Sequence, residues 1–168
     1  MKRILETERL LLREFTLEDT AFIIELLNSP GWIQYIGDRN IKTKDKALAY
    51  LENGPLKSYQ DNGFGLYMVE KKDDNTPIGM CGIIKRETLS NPDIGFAFLP
   101  EYNGKGYALE MAAATLAFAK QTLKLPVISA ITLAGNARSI RLLEKIGMQF
   151  SQTVVFPGSE EELLLYNG

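Results

Sequence analysis

The stretch from Ile94 to Leu133 constrains the fold more than any other part of the chain, because it reads as strand, helix, strand. Ile94, Phe96 and Phe98 alternate with Gly95, Ala97 and Leu99, the period of a half-buried strand, and Pro100 ends it because proline cannot donate to a ladder. Ala108, Met111, Ala112, Thr115, Leu116 and Ala119 then form one helical stripe. Ala113, Ala114 and Ala117 keep the rest of that helix slim enough for close packing on a sheet. After Pro126, Val127 to Leu133 (VISAITL) is a nearly continuous apolar run, the pattern of a strand covered on both faces. A βαβ unit follows, with a right-handed crossover.

Arg9 to Glu14 reads as a first strand. Thr16-Leu17-Glu18-Asp19 has the spacing of a capping box, with Asp19 in the usual Glu position, and opens a helix through about Asn28 whose core face is Ile23, Leu26 and Leu27. A second helix starts near Thr43, turns Ala47, Leu48 and Leu51 inward, and is interrupted by Gly54-Pro55. Phe64–Lys71 and Pro77–Arg86 flank the polar turn Asp73-Asp74-Asn75, as in an antiparallel hairpin. A last helix, Ala137 to Ile146, ends at Gly147, and antiparallel strands near Gln149–Phe156 and Leu163–Tyr166 close the chain. The expected fold is therefore α/β, a mixed and mostly antiparallel sheet of about seven strands with about four helices. No repeat or composition break divides the 168 residues, so one domain spanning 1–168 is expected.

Composition removes whole classes of function. The chain has no histidine, so Ser-His-Asp and Cys-His machinery and His-containing zinc sites are excluded. The single cysteine, Cys81, excludes an intramolecular disulfide and fits a reducing cytosol. With 19 Lys+Arg against 21 Asp+Glu, no overall charge draws the chain to nucleic acid or acidic membranes. MKRILETERL lacks an apolar run of signal-peptide length, and no stretch approaches a membrane span. A cytoplasmic location is expected.

Asn103-Gly104-Lys105-Gly106-Tyr107-Ala108 is a glycine-rich turn between the strand and the Ala-rich helix. Glycines there admit close approach of a ligand, and helix-start N–H groups favour a phosphate or pyrophosphate. The dinucleotide fingerprint needs a glycine where Leu109 stands and a later acid, yet no Asp or Glu occurs between Glu110 and Glu144. The nucleoside-triphosphate loop needs Gly at Leu99 and Ser or Thr at Gly106. A turn that is glycine-rich for no ligand remains the alternative. Asn136 and Ser139, at i and i+3, share one side of the last helix start, where ordinary capping by Asn136 would also place them.

Together the two segments resemble the GNAT superfamily of acetyl-coenzyme A dependent N-acetyltransferases. The family's Q/R-x-x-G-x-G/A motif falls on Asn103, Gly106 and Ala108, and its N-x-x-S and K-x-G-hydrophobic elements fall on Asn136, Ser139, Lys145, Gly147 and Met148. Thr-Glu-Arg-Leu-Leu-Leu-Arg at 7–13 and Ile-Gly-Phe at 94–96 are similar to the branch holding the ribosomal-protein N-terminal acetyltransferases. The resemblance spans about residues 7 to 156. It implies the GNAT-type fold with splayed central parallel strands, acetyl-coenzyme A as co-substrate, no metal, and an amine acceptor, either a peptide N-terminus or a small amine. A non-catalytic acyl-coenzyme A binding module is the other reading, and the chain would be a monomer or homodimer.

Carried over by residue, the resemblance gives backbone groups of Ala97 and Phe98 to the pantetheine arm. It gives the amides of Gly104, Lys105, Gly106, Tyr107, Ala108 and Leu109 to the pyrophosphate, and Asn136 to pantetheine. Ser139 takes the role of the hydroxyl that protonates the departing thiolate, and an N–H at the strand end, from Phe98, stabilises the oxyanion. Attack by a neutral amine is direct, with no acyl-enzyme.

Three positions depart from the pattern. Asn103 replaces Gln or Arg, Leu143 replaces the tyrosine some relatives use as acid, and Ile131 replaces a glutamate on the buried strand. The base must then be a carboxylate, a tyrosine or ordered water. Glu87 and Asp93 are candidates, with exposed solubilising charge as the plainer reading. Tyr102 and Tyr107 are the alternative acids. Trp32 and Tyr35 fall where the family forms one acceptor wall, or are core lids. Cys81 reads as a core residue. Glu160-Glu161-Glu162 is either a lure for a basic acceptor or a solvated turn, and Arg138, Arg141 and Lys145 either meet the 3′-phosphate or form a wet helix face.

Overall fold

The computed structural model describes residues 2–168. In chain order the elements are β1 (Arg3–Glu6), β2 (Leu10–Arg13), α1 (Thr20–Leu27), α2 (Pro30–Tyr35), α3 (Lys44–Asn53) and α4 (Pro55–Asn62). β3 (Leu66–Lys71), β4 (Pro77–Ile84) and β5 (Asp93–Phe98) follow. α5 (Tyr107–Gln121), β6 (Ser129–Leu133), α6 (Ala137–Lys145), β7 (Gln149–Val154) and β8 (Leu163–Asn167) complete the chain. The strands form one eight-stranded sheet in the order β1-β2-β3-β4-β5-β6-β8-β7, parallel only between β5 and β6.

Local chemistry explains most boundaries. The expected capping box is present: Thr16 N–H donates to Asp19 Oδ2 (2.8 Å) and Glu18 N–H to Thr16 Oγ1 (3.2 Å), closing a short 3₁₀ turn (Leu17–Asp19) that feeds α1. Thr43 caps α3 and Gly54-Pro55 interrupts it, both as expected, and helicity resumes at once in α4. Pro55 occupies the first turn of α4, where its missing N–H costs nothing. Pro30 opens α2 in the same way.

The sheet separates two packed faces. Met68 and Met80 pack with α1 and α3 through Leu26, Leu27, Ala47 and Leu51. Val69 and Cys81, pointing the other way along the same strands, pack with Met111 of α5. The predicted α5 stripe is the buried one: Met111, Ala112 and Ala119 are 0% exposed, with Thr115 and Leu116 also buried. β6 is shorter than the apolar run that predicts it. It begins at Ser129, Val127 is exposed, and Ile131 and Leu133 are only half-buried because they face an opening beside β5. Among the described residues no helix is long and apolar enough to cross a membrane.

Candidate active site

β5 and β6 start together and then part. Ser129 N–H donates to Pro92 O (2.8 Å), and Asp93 opposite Ser129 is the one registered pair. On its other edge β5 remains laddered to β4 from Asp93 to Phe98. The V between β5 and β6 opens into a cavity of about 1140 Å³, larger than the usual single-ligand pocket of about 300–1,000 Å³.

Strand alternation decides which backbone groups face this gap. Leu99 N–H donates to Ile78 O of the preceding strand (2.9 Å), whereas the Pro92 carbonyl faces β6. Even-numbered residues of β5 therefore present N–H and C=O to the opening, and odd-numbered residues present them to β4. Phe98 is on the open edge as expected. Ala97 lines the cavity, but its backbone pairs with Met80 on the β4 side, and Phe96 is the second residue whose backbone faces the gap. Sequence reasoning missed Phe96, although its two-residue offset from Phe98 was a sufficient signal.

The loop before α5 is laid out by two left-handed glycines, Gly104 (φ +76°) and Gly106 (φ +82°). None of the six consecutive N–H groups from Gly104 to Leu109 has a protein acceptor among the described residues. Such a run at the positive end of a helix has the chemistry to hold an anion. Asn103 and Ala108 reach the cavity wall, while Gly104, Lys105 and Gly106 form an exposed rim. Tyr107 and Leu109 turn their side chains into the core on either side of the helix.

On the opposite wall, Asn136 caps α6 by accepting from Ser139 N–H (3.2 Å), so the capping role is present and its amide NH₂ is left over. Both residues line the cavity. The Ser139 side chain is half-buried and its hydroxyl has no protein partner among the described residues. Leu143 and Ile131 line the same wall, so the two positions lacking an ionisable group are apolar surfaces of the gap. Arg138 and Arg141 reach the cavity from α6, as Glu161 does from the β7–β8 connection, whereas Lys145, Glu160 and Glu162 do not.

The far end of the cavity is walled by α2 and α3. Trp32 and Tyr35 line it, and Trp32, 6% exposed, is at the same time part of the core. The Trp32 indole N–H is buried without a partner. Tyr50 borders the same end, and burial raises its phenol pKa against a smaller opposing pull from Arg39, so it is no base at neutral pH. Of the two carboxylate candidates, Glu87 is exposed and away from the cavity. Asp93 corrects the expectation of a solvated charge: it is 1% exposed, borders the cavity, and accepts from Arg86 Nε at 3.0 Å. Burial raises its pKa and Arg86 opposes the rise. Cys81 is a core residue as read, with its thiol 3.3 Å from Thr115 Oγ1 and pushed up to about 12 by burial.

Comparison with known proteins agrees with this layout. The acetyltransferase (GNAT) domain family matches residues 9–149. YnaD of Bacillus subtilis, described as an uncharacterized N-acetyltransferase, is 32% identical over 143 residues, covering 85% of this chain and 81% of its own. The GNAT-family acetyltransferase of Bacillus anthracis superposes with a TM-score of 0.80 at 27% identity, covering 97% of this chain and 96% of the other. RimL, a ribosomal L7/L12 α-N-protein acetyltransferase solved with coenzyme A, shares the fold at a TM-score of 0.84 and 12% identity, over 99% of this chain and 97% of its own. With its split parallel strands, its run of unpartnered N–H groups and a family match over most of its length, this chain belongs to the GNAT acetyltransferases.

Proposed function

We propose that the protein transfers an acetyl group from acetyl-coenzyme A to a primary amine within a ternary complex, in the cytoplasm, with a protein or peptide N-terminus as acceptor. The observation that carries this reading is the run of unpartnered N–H groups from Gly104 to Leu109 at the end of a gap wide enough for two reactants. The pyrophosphate takes those amides, and the exposed Arg138 and Arg141 serve the 3′-phosphate. Pantetheine extends the sheet along the open edge of β5 through Phe96 and Phe98, with the Asn136 amide on its other side. Acetyl-coenzyme A supplies an activated thioester.

The amine enters from the Trp32 and Tyr35 end and attacks the thioester carbon as its neutral form. The N–C bond forms, the Phe98 N–H receives the negative charge developing on oxygen, and the C–S bond breaks. Ser139 donates its proton to the leaving sulfur, and the proton shed by the amine passes through water back to the Ser139 oxygen. Asp93, the carboxylate of β5 itself, is held by Arg86. Positioning therefore carries most of the rate. The test is thiol release from acetyl-coenzyme A against a panel of peptide N-termini, amino sugars and polyamines. Turnover confined to small amines overturns the acceptor assignment, and none with any amine favours a binding module.

A further inference from the structure

We infer that Arg9 is a positioning residue for the pyrophosphate cradle, fixing the Lys105–Gly106 peptide so that its N–H points at the phosphate. The inference rests on the cradle reading above.

Arg9 follows β1, in the turn Thr7-Glu8-Arg9-Leu10, and is 101 residues from its partner Glu110 on α5. That carboxylate is gripped from three directions. Arg9 Nε donates to Oε1 (2.8 Å), while Thr7 Oγ1 (2.5 Å) and the Arg9 backbone N–H (3.0 Å) both donate to Oε2. With Glu110 on the first turn of α5, the Arg9 side chain is locked against the helix start. Its guanidinium lies 4.3 Å from the Tyr107 ring centre, and its Nη1 donates to the Lys105 carbonyl at 3.0 Å.

That last bond has a geometric consequence. In a planar trans peptide the C=O and the following N–H point in opposite directions. Holding Lys105 O toward Arg9 turns the Gly106 N–H away from it, to the side where the neighbouring amides are free. Gly106 itself does not enforce this orientation, because glycine tolerates the flipped peptide. A flip would swing a carbonyl oxygen into the cradle and remove a donor. Arg9 also packs on the loop directly, since its Nη2 would be 3.2 Å from a Cβ added at Gly106. It places a permanent cation behind a loop where Asn103 supplies none.

A residue that merely stapled β2 to α5 would show the same contacts, so the test must read phosphate. Affinities of wild type, Arg9→Gln and Arg9→Lys for acetyl-coenzyme A and for S-acetylpantetheine, which lacks the pyrophosphate, separate the two roles. Arg9→Gln should lose acetyl-coenzyme A affinity on the order of tenfold, with a far smaller loss for S-acetylpantetheine. Arg9→Lys, which keeps the charge but cannot span carbonyl and carboxylate together, should show the same selective loss and stands in if Arg9→Gln does not fold. Equal losses for both donors, or none for acetyl-coenzyme A, overturn the positioning role. A wild type that binds both donors equally overturns the cradle itself.

Discussion

Asp93 and Ser129 are the first residues of β5 and β6, and among the described residues they form the one pair through which those strands meet. Everything beyond that pair on the even-numbered edge of β5 is left without a strand partner. The width of the gap therefore depends on how tightly β5 is held from its other side.

Gly79 of β4 sets that grip. A Cβ there would be 2.6 Å from both the Ala97 carbonyl and the Phe98 ring. Gly79→Ala should push β5 toward the gap, destabilise the fold by about 1–3 kcal/mol and lower kcat/KM. Thermal unfolding and steady-state kinetics check it together, and a variant that melts and turns over like wild type would show that β5 yields freely.

Gly106→Glu should abolish coenzyme A binding. It forces a side chain onto a φ of +82°, drives it at Arg9, and brings negative charge to amides meant for pyrophosphate. Calorimetry on the folded variant decides it, and retained affinity would place the ligand elsewhere.

Ser139→Ala should lower kcat by roughly 10²–10⁴ with little change in acetyl-coenzyme A affinity, towards the low end because a coenzyme A thiolate leaves readily. Asn136→Ala should do the converse and weaken cofactor binding. Losing its cap on Ser139 N–H should also cost about 0.5–2 kcal/mol of stability. Kinetics, binding and melting of both variants separate these effects. Full kcat in Ser139→Ala would leave Ser139 as part of the α6 cap only, and a loss of kcat on substituting Tyr102 or Tyr107 would show the acid to be misassigned.

The Arg9–Glu110 contact should fade in acid. Partial burial opposes ionisation of Glu110, but the bonds from Thr7 and Arg9 outweigh it and hold the carboxyl below its usual range. A depressed carboxylate stabilises the fold above its unfolded pKa, near about 4.3, and loses that contribution as pH falls through the lower folded value. The difference in Tm between wild type and Glu110→Gln should be largest at neutral pH and close below that value. A gap independent of pH would mean that ionisation is not what Glu110 contributes.

Cys81 should resist thiol reagents in the folded protein and react on denaturation, because its buried thiol is pushed up to about 12. Stoichiometric labelling of the native enzyme would contradict the core assignment.

Elements with a clear spacing or cap of their own were legible, and short elements without one were not. The α5 stripe, the Thr16 capping box and the alternation of β5 follow from spacing within one element. β1 is four residues, none of them buried, with no alternation to read, and α2 and α4 begin at prolines that look like stops. Two closing antiparallel strands were legible, but not that β8 inserts between β6 and β7, a choice made by packing beyond the hairpin. At the site, the glycines and Asn136 stood out because they are local. Arg9 did not, since its partner is on a helix formed 101 residues later. Asp93 read as a solvated charge because nothing local announced that Arg86 and the sheet would enclose it.

The open edge of β5 offers its ligand main-chain groups, which every residue but proline carries. Recognition written in the main chain survives drift in the side chains around it. The residues proposed to face the acceptor, Trp32 and Tyr35, belong to a helix on the other side of the cavity and share no backbone with that edge. One half of such an enzyme can therefore be inherited almost unchanged while the other is rewritten, so that a single donor serves a succession of recipients.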